Sequence, residues 1–250
     1  MTHIQKNLLA LLSLGLLSAC SSNSIKEQTV QLDTKAEILT VVNIMKPKQE
    51  DKKIVLALLK EGIDSKMTKL NGYISSSVHA SLDNDYVINY SQWESMDHLA
   101  VAADLVASGG APKMVEAFTK GNADYHPMKL VGQYKKDPSK KIYIDREGKV
   151  LTIINILKPK VGTTKQALVA LLKDALQNEL LTQDGYISST ILESMDNDYV
   201  INYSQWKNQA SLEAMVERLQ SGNAPKLGLV FSSSSPDFHP FKINSTHFKK

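Results

Sequence analysis

The stretch DNDYVINYSQW occurs twice, at Asp83–Trp93 and at Asp196–Trp206, identical at every position. The segments just downstream differ. ESMDHLAVAAD (Glu94–Asp104) faces KNQASLEAMVE (Lys207–Glu217), and only Leu99 and Leu212 agree. The repeated stretch is rich in β-branched and aromatic residues and begins in turn-forming Asp and Asn, so it reads as a hairpin turn leading into a strand. On a strand, side chains alternate between faces. Val87, Asn89, Ser91 and Trp93 then share one face, and Tyr86, Ile88, Tyr90 and Gln92 the other. Both faces carry residues that must be packed or bonded, whereas the following amphipathic helix has an outer face free to vary.

Working outward, the rest of the chain repeats as well. ILTVVNIMKPK (Ile38–Lys48) matches VLTIINILKPK (Val150–Lys160), NGYISSSV (Asn71–Val78) matches DGYISSTI (Asp184–Ile191), GGAPKMVEAF (Gly109–Phe118) matches GNAPKLGLVF (Gly222–Phe231), and DYHPMK (Asp124–Lys129) matches DFHPFK (Asp237–Lys242). Two units this long are a domain duplication, not a solenoid. Each begins with a strand, Thr40–Met45 or Thr152–Leu157, that Lys-Pro-Lys should end. A helix follows, with apolar spacing at Ile54, Leu58, Leu59, Ile63 and Met67, or Ala167, Leu171, Leu172, Leu176 and Leu180. A Gly turn leads to the second strand, and the repeated stretch supplies the third, Tyr86–Gln92 or Tyr199–Gln205. A second helix spans about Met96–Ala107 or Gln209–Gln220. A short helical turn after Ala-Pro-Lys and a last strand complete the unit. The order is βαββαβ twice, an α+β chain of two tandem ferredoxin-like units. Helices cover only one face of such a sheet. The two sheets should therefore pack together, as a pseudo-dimeric α/β barrel within one chain and a monomer with pseudo-two-fold symmetry.

The 250 residues are 42% hydrophobic and 22% charged, an ordinary globular composition, and the net charge of +3 is spread without a basic block, which argues against a nucleic-acid partner. Residues 1–20 read as a signal peptide: Lys6, then the apolar run Leu8–Leu17, too short to span a bilayer as a helix. The run ends in Leu17-Ser18-Ala19-Cys20, which resembles a bacterial lipobox, so Cys20 is the expected lipidation site and membrane anchor. Cys20 is the only cysteine, which excludes a disulfide or a thiolate metal site within the fold. Residue 21 is Ser, not the Asp of inner-membrane retention. The expected location is the cell envelope, on the outer membrane or a periplasm-facing membrane if the host is Gram-negative. Residues 21–36 read as a flexible tether, 37–135 as the first domain, 136–148 as a linker and 149–250 as the second domain.

The succession of strand, helix, Gly-aromatic strand, Trp-ending third strand and helix resembles the antibiotic biosynthesis monooxygenase (ABM) domain of the dimeric α/β-barrel superfamily. The resemblance covers Ile38–Tyr134 and Val150–Phe248. That family includes cofactor-independent oxygenases of polycyclic phenols and quinols, and heme-degrading enzymes. It implies a small aromatic or quinol-like ligand, a pocket between sheet and helices, and no cofactor. Asn89 with Trp93, and Asn202 with Trp206, stand where hydroxylating members line that pocket. The amide would bond a phenol or phenolate and the indole would stack on a ring; the indoles read equally as core. Asn43 and Asn155 interrupt apolar first strands and read as binding amides. His126 and His239, in Asp-[Tyr/Phe]-His-Pro, are candidate bases, or strand-start histidines bonded to nearby backbone. Lys113 and Lys226 match a pocket Arg of the family across a loop, or are solvated. The Tyr that those enzymes place six residues after the Trp is absent, Leu99 and Leu212 standing there, and Tyr73 and Tyr186 are its possible replacements. Heme degradation fits poorly, because His98 lies too early to be the ligand and pairs with Ser211. No His, Cys or carboxylate recurs at ligand spacing, so no metal site is expected. Two readings follow from the sequence: an envelope-tethered, cofactor-independent monooxygenase, or a non-catalytic lipoprotein that binds a small aromatic or lipid-like ligand in the same pocket.

Overall fold

The computed structural model describes residues 28–83 and 86–250; the proposed signal peptide with Cys20, and residues 21–27 of the proposed tether, lie outside the described residues. A short strand, β1 (Gln31–Leu32), precedes the first unit. That unit consists of β2 (Leu39–Met45), α1 (Lys52–Ser65), β3 (Tyr73–Ser81), β4 (Val87–Trp93), α2 (Met96–Ala107), α3 (Pro112–Gly121) and β5 (Asp124–Lys135). The linker forms β6 (Ile142–Tyr143). The second unit repeats the plan with β7 (Leu151–Pro159), α4 (Lys165–Ala175), β8 (Tyr186–Ser194), β9 (Val200–Trp206), α5 (Gln209–Gln220), α6 (Pro225–Ser233) and β10 (Ser234–Phe248).

Within each unit the strand order is that of a ferredoxin-like sheet, β3-β4-β2-β5 and β8-β9-β7-β10, with every pair antiparallel. The sheets do more than stack. Each last strand is long enough to serve both units. The first half of β5 pairs with β2 and its second half with β8; β10 pairs first with β7 and then with β3. A register break in each, at Leu130/Gly132 and Ile243/Ser245, bends the strand between its two partners. The result is a closed eight-stranded barrel with no free edge among its strands.

The barrel interior takes Val42, Ile44, Ile88 and Tyr90 with their second-unit partners Ile154, Ile156, Ile201 and Tyr203. The outer faces of the two sheets are covered by helices, which makes two further cores, one per unit. β1 and β6 pair as a small ribbon, and Val30, Leu32, Ile142 and Ile144 bury against the interior cluster. Part of the proposed tether and of the linker is therefore packed structure. Gln92 Nε2 donates to the Gln31 carbonyl at 2.9 Å and Gln205 Nε2 to the Tyr143 carbonyl at 2.8 Å. Each glutamine also accepts from a neighbouring serine, Ser75 or Ser188, at 2.9 Å. The two copies of one residue thus hold the two strands of one ribbon.

Three local expectations need correction. Ile54 and Ala167 are exposed, and Val55 and Leu168 take the first buried positions; Leu58, Leu59, Ile63 and Met67, and Leu172, Leu176 and Leu180, are buried as the spacing predicts, with Leu171 half-buried and Gly62 and Ala175 completing the stripes. Gly62 matters in that stripe, because a Cβ there would stand 2.7 Å from Met114 Sδ, and its absence lets α3 lie close on α1. The turn after Ala-Pro-Lys is a full helix in each unit, α3 and α6, with proline in its first turn, where the missing N–H costs nothing. Finally, β2 stops at Met45, before Lys46-Pro47-Lys48, but β7 runs two residues further than expected and ends at Pro159, which pairs with Ser234.

Candidate active site

The turn residues Gly72 and Gly185 set the position of α2 and α5 above the sheet. Both have positive φ, +73° and +76°, and a Cβ on either would overlap His98 or Ser211 in the first turn of the helix above. His98 is held there by the Ser95 cap, Oγ to Nδ1 3.0 Å. Only Leu99 and Ala102 of α2 are buried, and only Leu212 and Met215 of α5, so each helix roofs the sheet while touching it along a narrow line.

Beneath α2 lies a cavity of about 460 Å³ in the first unit, and beneath α5 one of about 280 Å³ in the second. Asn43, Asn89, Ser91 and Trp93 line the first; Asn155, Asn202, Ser204 and Trp206 line the second. Strand register puts the amides side by side, Asn43 directly opposite Asn89 and Asn155 directly opposite Asn202. All four are nearly inaccessible to solvent, and the side-chain oxygen of each lacks any hydrogen-bond partner. A buried carbonyl left unmatched costs about 1–3 kcal/mol. Four such groups stand at equivalent places in the two units, on residues that line the cavities.

The tryptophans are fixed by their own strand. Trp93 Nε1–H donates to Ser91 Oγ, and Trp206 Nε1–H to Ser204 Oγ, both at 3.2 Å. The rings of Tyr73 and Tyr186 meet the indoles edge-on, with centroids 5.2 and 5.3 Å apart. Burial pushes both tyrosine hydroxyls well above their ordinary value, so they stay protonated. Tyr73 borders the first cavity; Tyr186 packs against its Trp without bordering the second. Each indole offers a ring face and no free N–H.

Two sets of sequence candidates lie elsewhere. His126 stands opposite Val42 in the sheet, so it points to the barrel side, away from the cavity. Its Nε2 lies 3.0 Å from Asp124, and its Nδ1 3.2 Å from Asp196 in the hairpin turn of the other unit. Tyr199 of that unit meets the imidazole edge-on and donates to Asp124 at 3.0 Å. The second copy reverses the roles: His239 lies between Asp237 and Asp83 and stacks on Tyr86, which bonds Asp237. Lys158 and Lys46 sit over the Tyr199 and Tyr86 rings. Burial raises the Asp196 and Asp237 carboxyls, but hydrogen bonds from Ser194 and His126, and from Tyr86 and His239, win and hold them below the usual range. These histidines lock unit to unit and reach neither cavity. Lys113 and Lys226 are also outside, paired on the surface with Glu61 and Asp174. Neither cavity has a histidine, lysine, arginine or carboxylate in its lining.

What the sequence did not disclose is the roof and the neighbouring strand. Met114 and Phe118 of α3 close the first cavity, and Tyr125 borders it at the start of β5, opposite Asn43. The counterpart of Tyr125 is Phe238. In the Asp-[Tyr/Phe]-His-Pro motif the aromatic faces the pocket and the histidine does not. Alternation along β5 says that the two point apart, but only the pairing of β5 with β2 says which way.

The sequence profile of antibiotic biosynthesis monooxygenases matches residues 38–103, from the start of β2 into α2. The solved structure of an anthrone oxidase-like protein has a TM-score of 0.71 at 18% identity, over 87% of this chain and 96% of that one. A Fusobacterium nucleatum protein provisionally described as a monooxygenase gives 0.55 at 11% identity, over 86% and 96%. One from Lactobacillus acidophilus gives 0.50 at 7%, over 85% and 96%. At these identities the likeness is one of fold, and it extends over both units. No curated protein matches the chain. The matched ABM segment contains Asn43, Tyr73, Asn89 and Trp93, the polar and aromatic wall of the larger cavity.

Proposed function

We propose that the chain is a cofactor-independent monooxygenase of a small phenolic or quinol-type aromatic, acting in the cavity between sheet and roof helix. The observation that supports it most is the Asn43–Asn89 pair, two amides with unmatched oxygens beside an indole face in an otherwise apolar chamber. Amide N–H groups stabilise a phenolate oxygen, amide oxygens accept from a phenol, and the indole packs on the ring. The anion is electron-rich enough to reduce O₂ directly. For an activated ring CH₂ the balance closes without another reductant: CH₂ and O₂ give C=O and H₂O, with one oxygen atom in the product and one in water. The lining has no base that titrates near neutral pH, so the substrate supplies its own acidity. The domain of the anthrone oxidase-like relative is consistent with such chemistry.

The test is O₂ uptake by the purified protein with a panel of quinols and anthrols, repeated with Asn43→Leu/Asn89→Leu. Uptake that depends on both protein and amides supports the proposal. Tight binding of the same compounds without uptake would leave the chain a binding protein. We further propose that Cys20 is lipidated and holds the protein on the envelope. Among the described residues no helix is long and apolar enough to cross a membrane. Cys20→Ser should move the protein from the membrane fraction to the soluble one, and an unchanged distribution would overturn the anchor.

A further inference from the structure

The two cavities are built on the same strands, yet one is markedly larger, 460 against 280 Å³. The polar walls recur, Asn43, Asn89, Ser91 and Trp93 as Asn155, Asn202, Ser204 and Trp206. Elsewhere in the walls Val41 becomes Ile153, Ala123 becomes Pro236 and Tyr125 becomes Phe238, a smaller change in bulk. The larger difference is in the roof. Ala102, Ala103 and Val106 of α2 are replaced at the equivalent positions of α5 by Met215, Val216 and Leu219, and all six line their cavities. The replacements add six heavy atoms. At about 30 Å³ each, the share of one water in the liquid, they fill a space as large as the observed difference.

We propose that the two units take ligands of different size, and that the roof positions 102, 103 and 106 with their counterparts 215, 216 and 219 set that size. The inference rests on the cavities being ligand sites, as argued under the proposed function. Pockets for organic ligands begin at about 300 Å³, and a dry cavity of about 150 Å³ holds one benzene ring. On that scale the first unit accommodates three fused rings and the second at most two. The amide pair is retained in both, so both recognise a ring carrying a hydroxyl or carbonyl. The downstream segment diverges between the copies because it is the part that discriminates.

The chain provides its own reporters: it has two tryptophans, one in each cavity. Trp206→Phe leaves Trp93 to report on the first unit, and Trp93→Phe leaves Trp206 to report on the second. The probes are 1-naphthol, with two rings, and anthrone, with three, titrated anaerobically. The expected result is quenching of Trp93 by both probes and of Trp206 by 1-naphthol alone. Ala102→Met/Ala103→Val should weaken anthrone binding to the first unit at least tenfold and spare 1-naphthol. Met215→Ala/Val216→Ala should admit anthrone to the second, with far-ultraviolet circular dichroism showing that both variants fold. Equal anthrone affinity in the two units, or roof exchanges that leave selectivity unchanged, would overturn the inference while leaving the proposed function standing. Quenching of neither tryptophan by either probe would overturn both.

Discussion

Replacing Asn89 by leucine should make the empty protein more stable and the ligand-binding protein worse. Leucine has the same number of side-chain heavy atoms as asparagine and the same branching at Cγ, so the wall of the cavity keeps its shape. The Asn89 carbonyl oxygen is buried without a partner, in a wall shared with Val41 and Trp93 beneath Leu99. Removing an unmatched carbonyl relieves about 1–3 kcal/mol. For a chain of this size each kcal/mol moves Tm by roughly 2–4 °C, so thermal unfolding of Asn89→Leu should shift upward by about 2–12 °C. The lost bond to a phenolate is worth about 1.5–3 kcal/mol, or roughly 10- to 100-fold in affinity. Calorimetry on the ligand-free protein and a binding titration measure the two halves separately. A fall in Tm would refute the reasoning, because it would mean that the amide bonds to the protein itself and is part of the core.

Three further expectations concern residues outside the cavities. His79 is fully buried in the barrel; its Nδ1–H donates to the Ser77 carbonyl at 3.0 Å, its Nε2 accepts from Tyr203, and burial pushes its pKa down to about 4. The unfolded chain therefore binds this proton first as pH falls from about 6.5 to 4. Stability should drop by about 3 kcal/mol over that window and be flat above it. His79→Leu, which installs the residue found at the equivalent Leu192, should flatten the pH dependence measured by urea unfolding. His126→Phe breaks an inter-unit lock without touching either cavity, so it should cost about 1–3 kcal/mol and leave turnover within twofold; a hundredfold loss of kcat at unchanged stability would restore this histidine as the base. With no group in the cavity lining that titrates near neutral pH, the pH profile of kcat/KM should follow the pKa of each substrate tried, and a fixed profile across substrates of different acidity would point to a protein base.

The repeated stretch was a sound guide to the fold because every residue in its described part has a structural task. Asp83 and Tyr86 join the inter-unit lock, Val87 packs in the core beneath the helices, Ile88 and Tyr90 fill the barrel, Asn89 and Trp93 face the cavity, Ser91 satisfies the indole and Gln92 holds the ribbon. Alternation alone separated the two faces correctly. It did not reveal that Asn43 stands opposite Asn89, since cross-strand register is a property of the assembled sheet. Nor could it aim the histidine of Asp-[Tyr/Phe]-His-Pro, whose partners Asp196 and Asp83 lie in the other unit. The lysines of Ala-Pro-Lys misled because proline starts a helix there, and Lys113 and Lys226 pair with carboxylates of the first helix of each unit, Glu61 of α1 and Asp174 of α4. The roof residues looked like ordinary helix substitutions until the cavities beneath them could be compared.

Isotope labelling tests the central claim most directly. Turnover of an anthrone under ¹⁸O₂ in ordinary water should give a product with one ¹⁸O atom and release the other as labelled water, and Asn43→Leu/Asn89→Leu should abolish both. A product whose oxygen comes from the solvent, or substrate bound in the first cavity and never consumed, would contradict the account.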